Sequence, residues 1–484
     1  MSATGEWSVA CSEQAARIFN PIRAISDGAK PSESTKPLIK LSVGDPTLDE
    51  GYLPTSRVQQ AALQEAVSSC QLGGYRPAVG TDEARAAVAE YWKRYFVNTA
   101  ARKSHVVTDN VIMTSGGSHA IQLAITAIAN PGDNILLPAP GFPHYKTIAD
   151  TYQIECRFYN LDSENGWEAD AAEIRSLCDD RTKLLVTTNP SNPCGSNWSR
   201  QHVEDIVRLC EELKLPLFSD EIYAGMVFQY EENPNKVFTS VADIDTDVPR
   251  VILGGTAKSH LVPGWRVGWL LFVDPAGHGA EYVRGVKNEA TLVVGPSTLG
   301  QASVPAALLK TPSNYLGRVT AIIEESAMTF YKAINESSIC ADPERRMLVA
   351  VRPQASMYVM VKLVLEHFDP AVVSDDVTFF RKLFEEENVQ VIPGMAFHAP
   401  GCFRVVITRP DAVLEDAAQR MIEFCERHRG EGKPPSPAEA ENGAAADNIE
   451  NKDEENREAD AEEKEEEKAA EEDEDVKKDD EDEL

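Results

Sequence analysis

The most suggestive chemistry lies in Gly254-Gly-Thr-Ala-Lys258-Ser-His-Leu-Val-Pro-Gly-Trp-Arg266. A lysine held as a free amine condenses with aldehydes. The arginine eight residues on offers a rigid fork that suits a phosphate. Alone, such a pair is most often two surface charges. Three other stretches point the same way. Phe218-Ser-Asp220-Glu-Ile-Tyr223 ends an apolar run with an acid and a phenol. An acid at the end of a parallel strand can hold a ring nitrogen protonated and so make that ring an electron sink. The plainer reading is a surface acid beside a packed tyrosine. Asn189-Pro-Ser-Asn192-Pro-Cys-Gly195 sets an amide in a tight turn, which needs no function. Ser115-Gly116-Gly117-Ser118-His119 follows an apolar run and opens a helical one. Small residues at a helix start can offer backbone N–H groups to a phosphate.

The elements that must position these groups alternate. Asn134–Pro138, Lys183–Asn189, Leu215–Ser219, Val251–Gly254 and Gly268–Val273 are short apolar runs, with helical stretches such as Arg200–Lys214 between several of them. Strands apolar on both faces and separated by helices predict an α/β fold with a mostly parallel central sheet covered by helices. After Ser297 the pattern is helical, then strand-like at Met357–Leu363 and Phe403–Thr408, which predicts a smaller α+β domain. The expected division is an N-terminal arm and part of the small domain over 1–70, a large domain over 71–310 and the rest of the small domain over 311–430. The arm carries one short helix near Ser12–Asn20.

Residues 431–484 read as a disordered acidic tail. They hold 25 acids and 7 bases, a net of −18, more than half of the chain's −31. Such a segment cannot bury enough apolar surface to order itself. A net charge of −31 argues against a nucleic-acid partner, because phosphates need Lys and Arg. No run of 18 apolar residues predicts a membrane span. The 9 cysteines are scattered, with no cluster at metal-ligand spacing, so reduced thiols and no metal are expected. Met1–Gln14 lacks a basic region followed by an apolar run, so no secretory signal and a cytoplasmic location are expected.

Taken in order, the Ser115 turn, Asn192, Asp220, Tyr223, Lys258 and Arg266 resemble the signature of the fold-type I pyridoxal-phosphate aminotransferases. Further phrases are similar to the tyrosine aminotransferase group within that family, over roughly Ser12–Arg429. They are Asn20-Pro-Ile-Arg23, Ser42-Val-Gly-Asp-Pro-Thr47, Gly74-Tyr75-Arg-Pro-Ala-Val-Gly80 and Ala139-Pro-Gly-Phe142-Pro. Gly225-Met-Val-Phe228, Met357-Tyr-Val-Met360 and Phe403-Arg404-Val-Val-Ile-Thr408 complete the set.

The resemblance implies pyridoxal 5'-phosphate as cofactor and transfer of an amino group from an aromatic amino acid to a 2-oxo acid, with a place in aromatic amino-acid breakdown. It implies that Lys258 bonds the cofactor aldehyde and later shuttles a proton. Asp220 would hold the ring nitrogen. Tyr223 and Asn192 would hydrogen-bond the phenolic oxygen, and Phe142 would stack on the ring. Arg266 and the Gly116-Gly117-Ser118 turn would hold the phosphate. Tyr75 would reach the phosphate of a neighbouring subunit, which implies a homodimer. Arg404 and the Gly44 backbone would bind the substrate carboxylate.

Two departures stand out. Relatives often carry Ser where this chain has Gly255; Thr256 could partly compensate. His119 stands where relatives often have Gln, and packing is the favoured reading. An aspartate-specific relative would need a second arginine in the stretch matching Glu289–Gly295, which here has none. A buried carboxylate without a partner is costly, so apolar or aromatic donors are expected. The rival readings are a carbon–sulfur lyase of the same fold and an inactive scaffold whose acidic tail recruits a partner.

Overall fold

The computed structural model describes residues 9–28 and 34–430. The expected acidic tail, 431–484, lies outside the described residues. An eight-stranded sheet forms the larger layer. Its order is Val111–Thr114, Gly268–Val273, Arg250–Gly255, Leu217–Asp220, Thr182–Thr188, Asn134–Ala139, Glu155–Asp162 and Glu168–Ala169. The five strands from Arg250–Gly255 to Glu155–Asp162 are parallel neighbours. Gly268–Val273 runs antiparallel between Arg250–Gly255 and Val111–Thr114, so those two point the same way.

Period-2 alternation explains why these runs read as continuously apolar. Val111 and Met113 face one core with Trp92 and Ile206, while Ile112 faces another with Ile121 and Tyr145. Trp269 and Leu271 divide from Leu270 and Phe272 in the same way. Both faces are covered, as parallel sheets require. Among the covering helices, Arg200–Leu213 starts where the Ser199 side chain accepts from the His202 N–H and stops at Lys214 in the left-handed region.

A four-stranded antiparallel sheet forms the smaller layer, in the order Leu348–Ala350, Tyr358–Leu363, Cys402–Val406 and Ile392–Pro393. Helices Tyr315–Asn335, Asp376–Glu387 and Asp411–Arg427 pack on it through Phe330, Phe379 and Phe424. Phe379 stacks on Phe403 with ring centroids 5.0 Å apart. Truncating such a buried ring costs about 3–5 kcal/mol, so the strand that carries residue 404 rests on a firm base. This core also takes in Tyr223, Met226 and Leu261, which the chain supplies from the region of the larger sheet.

The N-terminal segment joins the smaller layer: Ile39–Lys40 pairs in parallel with Val389–Gln390. The short helix expected near Ser12–Asn20 is Glu13–Ala16, and a second, Pro21–Gly28, follows it. Proline has no N–H to continue a helix and is preset for its first position. Asn20 caps the second helix, its Oδ1 accepting from the Arg23 N–H at 3.1 Å. Among the described residues no helix is long and apolar enough to cross a membrane.

Candidate active site

The larger sheet brings its site residues together at one edge. Val111–Thr114, Asn134–Ala139, Thr182–Thr188, Leu217–Asp220 and Arg250–Gly255 all end there. The turns that follow them carry Gly117 and Ser118, Phe142, Asn192, Tyr223 and Lys258. This is where open α/β sheets place ligands. With Gly44, Arg266 and Arg404 these residues line one cavity of about 290 Å³. Gly116 and Tyr75 are the two expected site residues that do not line it. Tyr75 is 89% exposed.

Lys258 sits in the short helix Thr256–Ser259, and its Nζ donates to the Gly44 carbonyl at 2.5 Å. Asp220 is buried at the strand end and faces the same cavity. It accepts from the Tyr145 hydroxyl at 2.5 Å and from the Ile222 N–H at 3.1 Å. Burial pushes its carboxyl up to about 6, against the pull of those two donors and of Lys258. A nearby cation would stabilise the ionised form of such a buried acid strongly.

The turn at Gly116 shows why glycine is needed. Its φ is +80°, and a Cβ there would stand 2.5 Å from the Arg266 guanidinium. Arg266 is exposed and donates to the carbonyls of Pro263, at 3.1 Å, and Ser115, at 3.3 Å. Gly268 meets the same turn from below: a Cβ on it would come within 2.7 Å of the Gly116 backbone. The helix Gly117–Thr126 therefore starts against bare backbone, with its first N–H groups beside the cavity.

Gly255 has a packing reason. A Cβ there would come 2.9 Å from the Val267 carbonyl and 2.8 Å from Ile222. Thr256 does not line the cavity, and its buried Oγ1 has no partner among the described residues. Of the residues expected at the phosphate, Gly117, Ser118 and Arg266 line the cavity. His119 accepts from the Ser115 N–H through Nδ1 at 3.2 Å and stays out of the cavity, as its packing reading expects.

The opposite wall belongs to the smaller sheet. Arg404 is 2% exposed. Its Nη1 donates to Asn192 Oδ1 at 2.9 Å, its Nη2 donates to the Ser42 carbonyl, and its Nε has no partner. The guanidinium lies 4.5 Å from the Tyr358 ring centre and 4.7 Å from that of Phe397. Burial lowers its proton affinity, although arginine keeps its charge. An incompletely satisfied buried fork of this kind fits a carboxylate.

Sequence reasoning missed Tyr145 and Tyr358. Tyr145 follows Phe142 by one helical turn, and its reach to Asp220 spans 75 residues of chain. Tyr358 lies inside a stretch that marked the resemblance, with no role attached.

The donor set also tests what this cavity can hold. A buried acid faces it from one side, a lysine amine stands beside the acid, and glycine N–H groups with an arginine stand at a helix start. That set fits a phosphorylated aromatic aldehyde with a basic ring nitrogen. Comparison with known proteins agrees. The family model for aminotransferase class I and II matches residues 36–421. The chain belongs to the class I and II aminotransferases. Like them, it is a pyridoxal-phosphate enzyme.

Mouse tyrosine aminotransferase is 38% identical over 424 residues, covering 87% of this chain and 88% of the mouse protein. Tyrosine aminotransferase from Dictyostelium discoideum is 36% identical and is covered over 98% of its length, against 88% of this chain. The crystal structure of tyrosine aminotransferase from Leishmania infantum superposes with a TM-score of 0.82 at 43% identity, over 88% of this chain and 100% of that one. Alanine aminotransferase from Pyrococcus furiosus superposes with a TM-score of 0.75 at 26% identity, over 87% and 100%. These relatives do not favour the carbon–sulfur lyase or inactive-scaffold readings.

Proposed function

We propose that this aminotransferase moves the amino group of tyrosine, and of phenylalanine, tryptophan and other apolar amino acids, to a 2-oxo acid such as 2-oxoglutarate or pyruvate. The observation that carries the reading is one cavity holding Lys258 and Asp220 on one wall and Arg404 on the other. The named relatives that match most of the chain support the aromatic donor. So does the segment Ala290–Val293 with its flanks, which offers apolar side chains and no arginine for a second carboxylate.

The cofactor supplies an aldehyde that takes up the amino group and a ring that accepts the electrons left when the Cα proton departs. Lys258 would hold the cofactor through its aldehyde. Its Nζ, as a free amine, would take up the proton from the substrate Cα and return it. Asp220 would hold the ring nitrogen protonated, and Tyr145, which donates to that carboxylate, fixes it in place. Arg404 would clamp the substrate carboxylate beside the Gly44 backbone, and Asn192, whose Oδ1 accepts from Arg404, would offer its amide N–H to the phenolic oxygen. Tyr223 would donate to the same oxygen. Burial pushes the Tyr223 phenol well above its ordinary range, so it keeps its proton. Phe142 would cover one ring face. Gly117, Ser118 and Arg266 would hold the phosphate, with the Gly116 turn setting their approach.

We read residues 71–310 as the large domain and 1–70 with 311–430 as the small one, supported by an eight-stranded sheet within 111–273, a four-stranded one within 348–406 and the pairing of Ile39–Lys40 with Val389–Gln390. The reading includes a homodimer. Tyr75, Leu292, Val293 and Val294 are exposed, and Gly295 packs on Pro77 and Ala78, which brings these two stretches close together. Exposed apolar groups gathered in this way favour an interaction surface. A cytoplasmic location is supported by 9 cysteines that are all free thiols.

The test is a donor and acceptor panel with oxo-acid detection. Tyrosine should be turned over much faster than aspartate, and Lys258→Ala should abolish turnover together with the cofactor's absorbance band. Faster turnover of aspartate would overturn the substrate assignment.

A further inference from the structure

Tyr358 sits where the two walls of the cavity meet, and no step above assigns it a task. Its hydroxyl lies 2.7 Å from that of Tyr223, with the rings edge-on at 83°. Its ring lies under the Arg404 guanidinium. Register explains the second contact: Tyr358 pairs with Val406 and Met360 with Arg404, so residues 358 and 404 are diagonal neighbours on one face. Tyr358 is 2% exposed. A Cβ on Gly44 would stand 2.3 Å from its oxygen, so bare backbone closes off that side.

Only one proton can lie between two phenol oxygens. Among the described residues Tyr223 is the one hydrogen-bond partner of the Tyr358 hydroxyl. Either phenol could donate, since both line the cavity; if Tyr223 donated, its proton would be spent on the Tyr358 oxygen and could not reach the cofactor. If Tyr358 donates, its own proton is satisfied and the Tyr223 proton stays free to point into the cavity. The charged and titratable groups that line the cavity beside Tyr223 are Arg23, His144, Asp220, Lys258, Arg266 and Arg404; none of them hydrogen-bonds the Tyr358 hydroxyl.

We propose that Tyr358 is a positioning residue for proton chemistry: by donating to the Tyr223 oxygen it aims the Tyr223 proton at the cofactor's phenolic oxygen, while its ring separately braces Arg404. This deepens the transaminase reading and rests on it.

The test is a spectrophotometric pH titration of the bound cofactor in holoenzyme carrying Tyr358→Phe, Tyr223→Phe or both, with the affinity of a non-reactive aromatic carboxylate, 3-phenylpropionate, measured alongside. A donor aimed at the phenolic oxygen stabilises its anionic form, so losing the aim should raise the titration midpoint. In Tyr358→Phe the midpoint should rise about 0.5–1 unit, three- to tenfold in proton affinity. Carboxylate affinity should stay within about twofold, because the ring under Arg404 remains. The double variant should titrate like Tyr223→Phe alone, because the hydroxyl acts only through Tyr223. An unchanged midpoint in Tyr358→Phe, a parallel loss of carboxylate affinity, or additive shifts in the double variant would each overturn the proposal. If the unsubstituted holoenzyme neither changes absorbance with pH nor consumes tyrosine, the transaminase reading fails instead.

Discussion

The two walls of the cavity are built differently. The larger sheet delivers its groups from turns just beyond strand ends: Lys258 three residues after Gly255, Asn192 four after Thr188, Phe142 three after Ala139. The smaller sheet delivers Arg404 and Tyr358 from within paired strands. The arginines divide in the same way. Arg266 is exposed and rests on carbonyl oxygens, whereas Arg404 is buried between two rings and bonded at two of its nitrogens. Turns can be varied without disturbing the sheet below, which suits groups that must face a bulky cofactor. A strand in a packed sheet fixes direction, which suits a clamp that must hold one carboxylate in one pose.

That contrast can be broken at either wall. The largest effect is expected from Asp220→Asn, which keeps the shape and removes the charge proposed to face the ring nitrogen. Turnover should fall on the order of 10²–10³-fold with little change in KM, read by steady-state kinetics. Arg404→Lys keeps a charge but loses the fork. It should raise KM for the amino acid roughly ten- to hundredfold and leave cofactor absorbance unaltered. A change in absorbance there would mean that the two walls are not independent.

Acidity sharpens the same comparison. The Asp220 carboxyl is held near 6 instead of 3.8, chiefly by burial. Binding a cationic ring requires the carboxylate, so cofactor affinity should be full above about pH 6 and fall up to about tenfold per unit below it. The cofactor-free chain should behave oppositely. Its fold favours the protonated acid, so this contribution to stability is present below 3.8 and lost as pH rises through about 6. Equilibrium dialysis and thermal melts check the two signs, and Asp220→Asn should flatten both. The smallest effect is expected from removing residues 431–484, which lie beyond the family match at 36–421. Turnover should stay within about twofold.

Much of the first wall is legible in the sequence because its cues are local. An apolar run, a small-residue turn and a reactive side chain succeed one another within about ten residues at Lys258, Asp220 and Ser115. The sheet layers are legible for the same reason. What is not legible depends on distant chain segments meeting. Tyr145 matters because its helix turns back over Asp220, and Tyr358 matters because of an antiparallel register. Gly255 looks like a missing phosphate contact, since nothing in its neighbourhood announces the Val267 carbonyl waiting 2.9 Å from where a Cβ would go.

Gly116 and Gly268 leave a last consequence. Where they touch, two main chains are separated by hydrogen atoms only. A single methyl at residue 268 would lift the start of the helix Gly117–Thr126 away from the strand beneath it and misalign the anion seat, with no ligand-contacting residue altered. This enzyme is therefore vulnerable at a seam that carries no functional group at all and has room only for glycine.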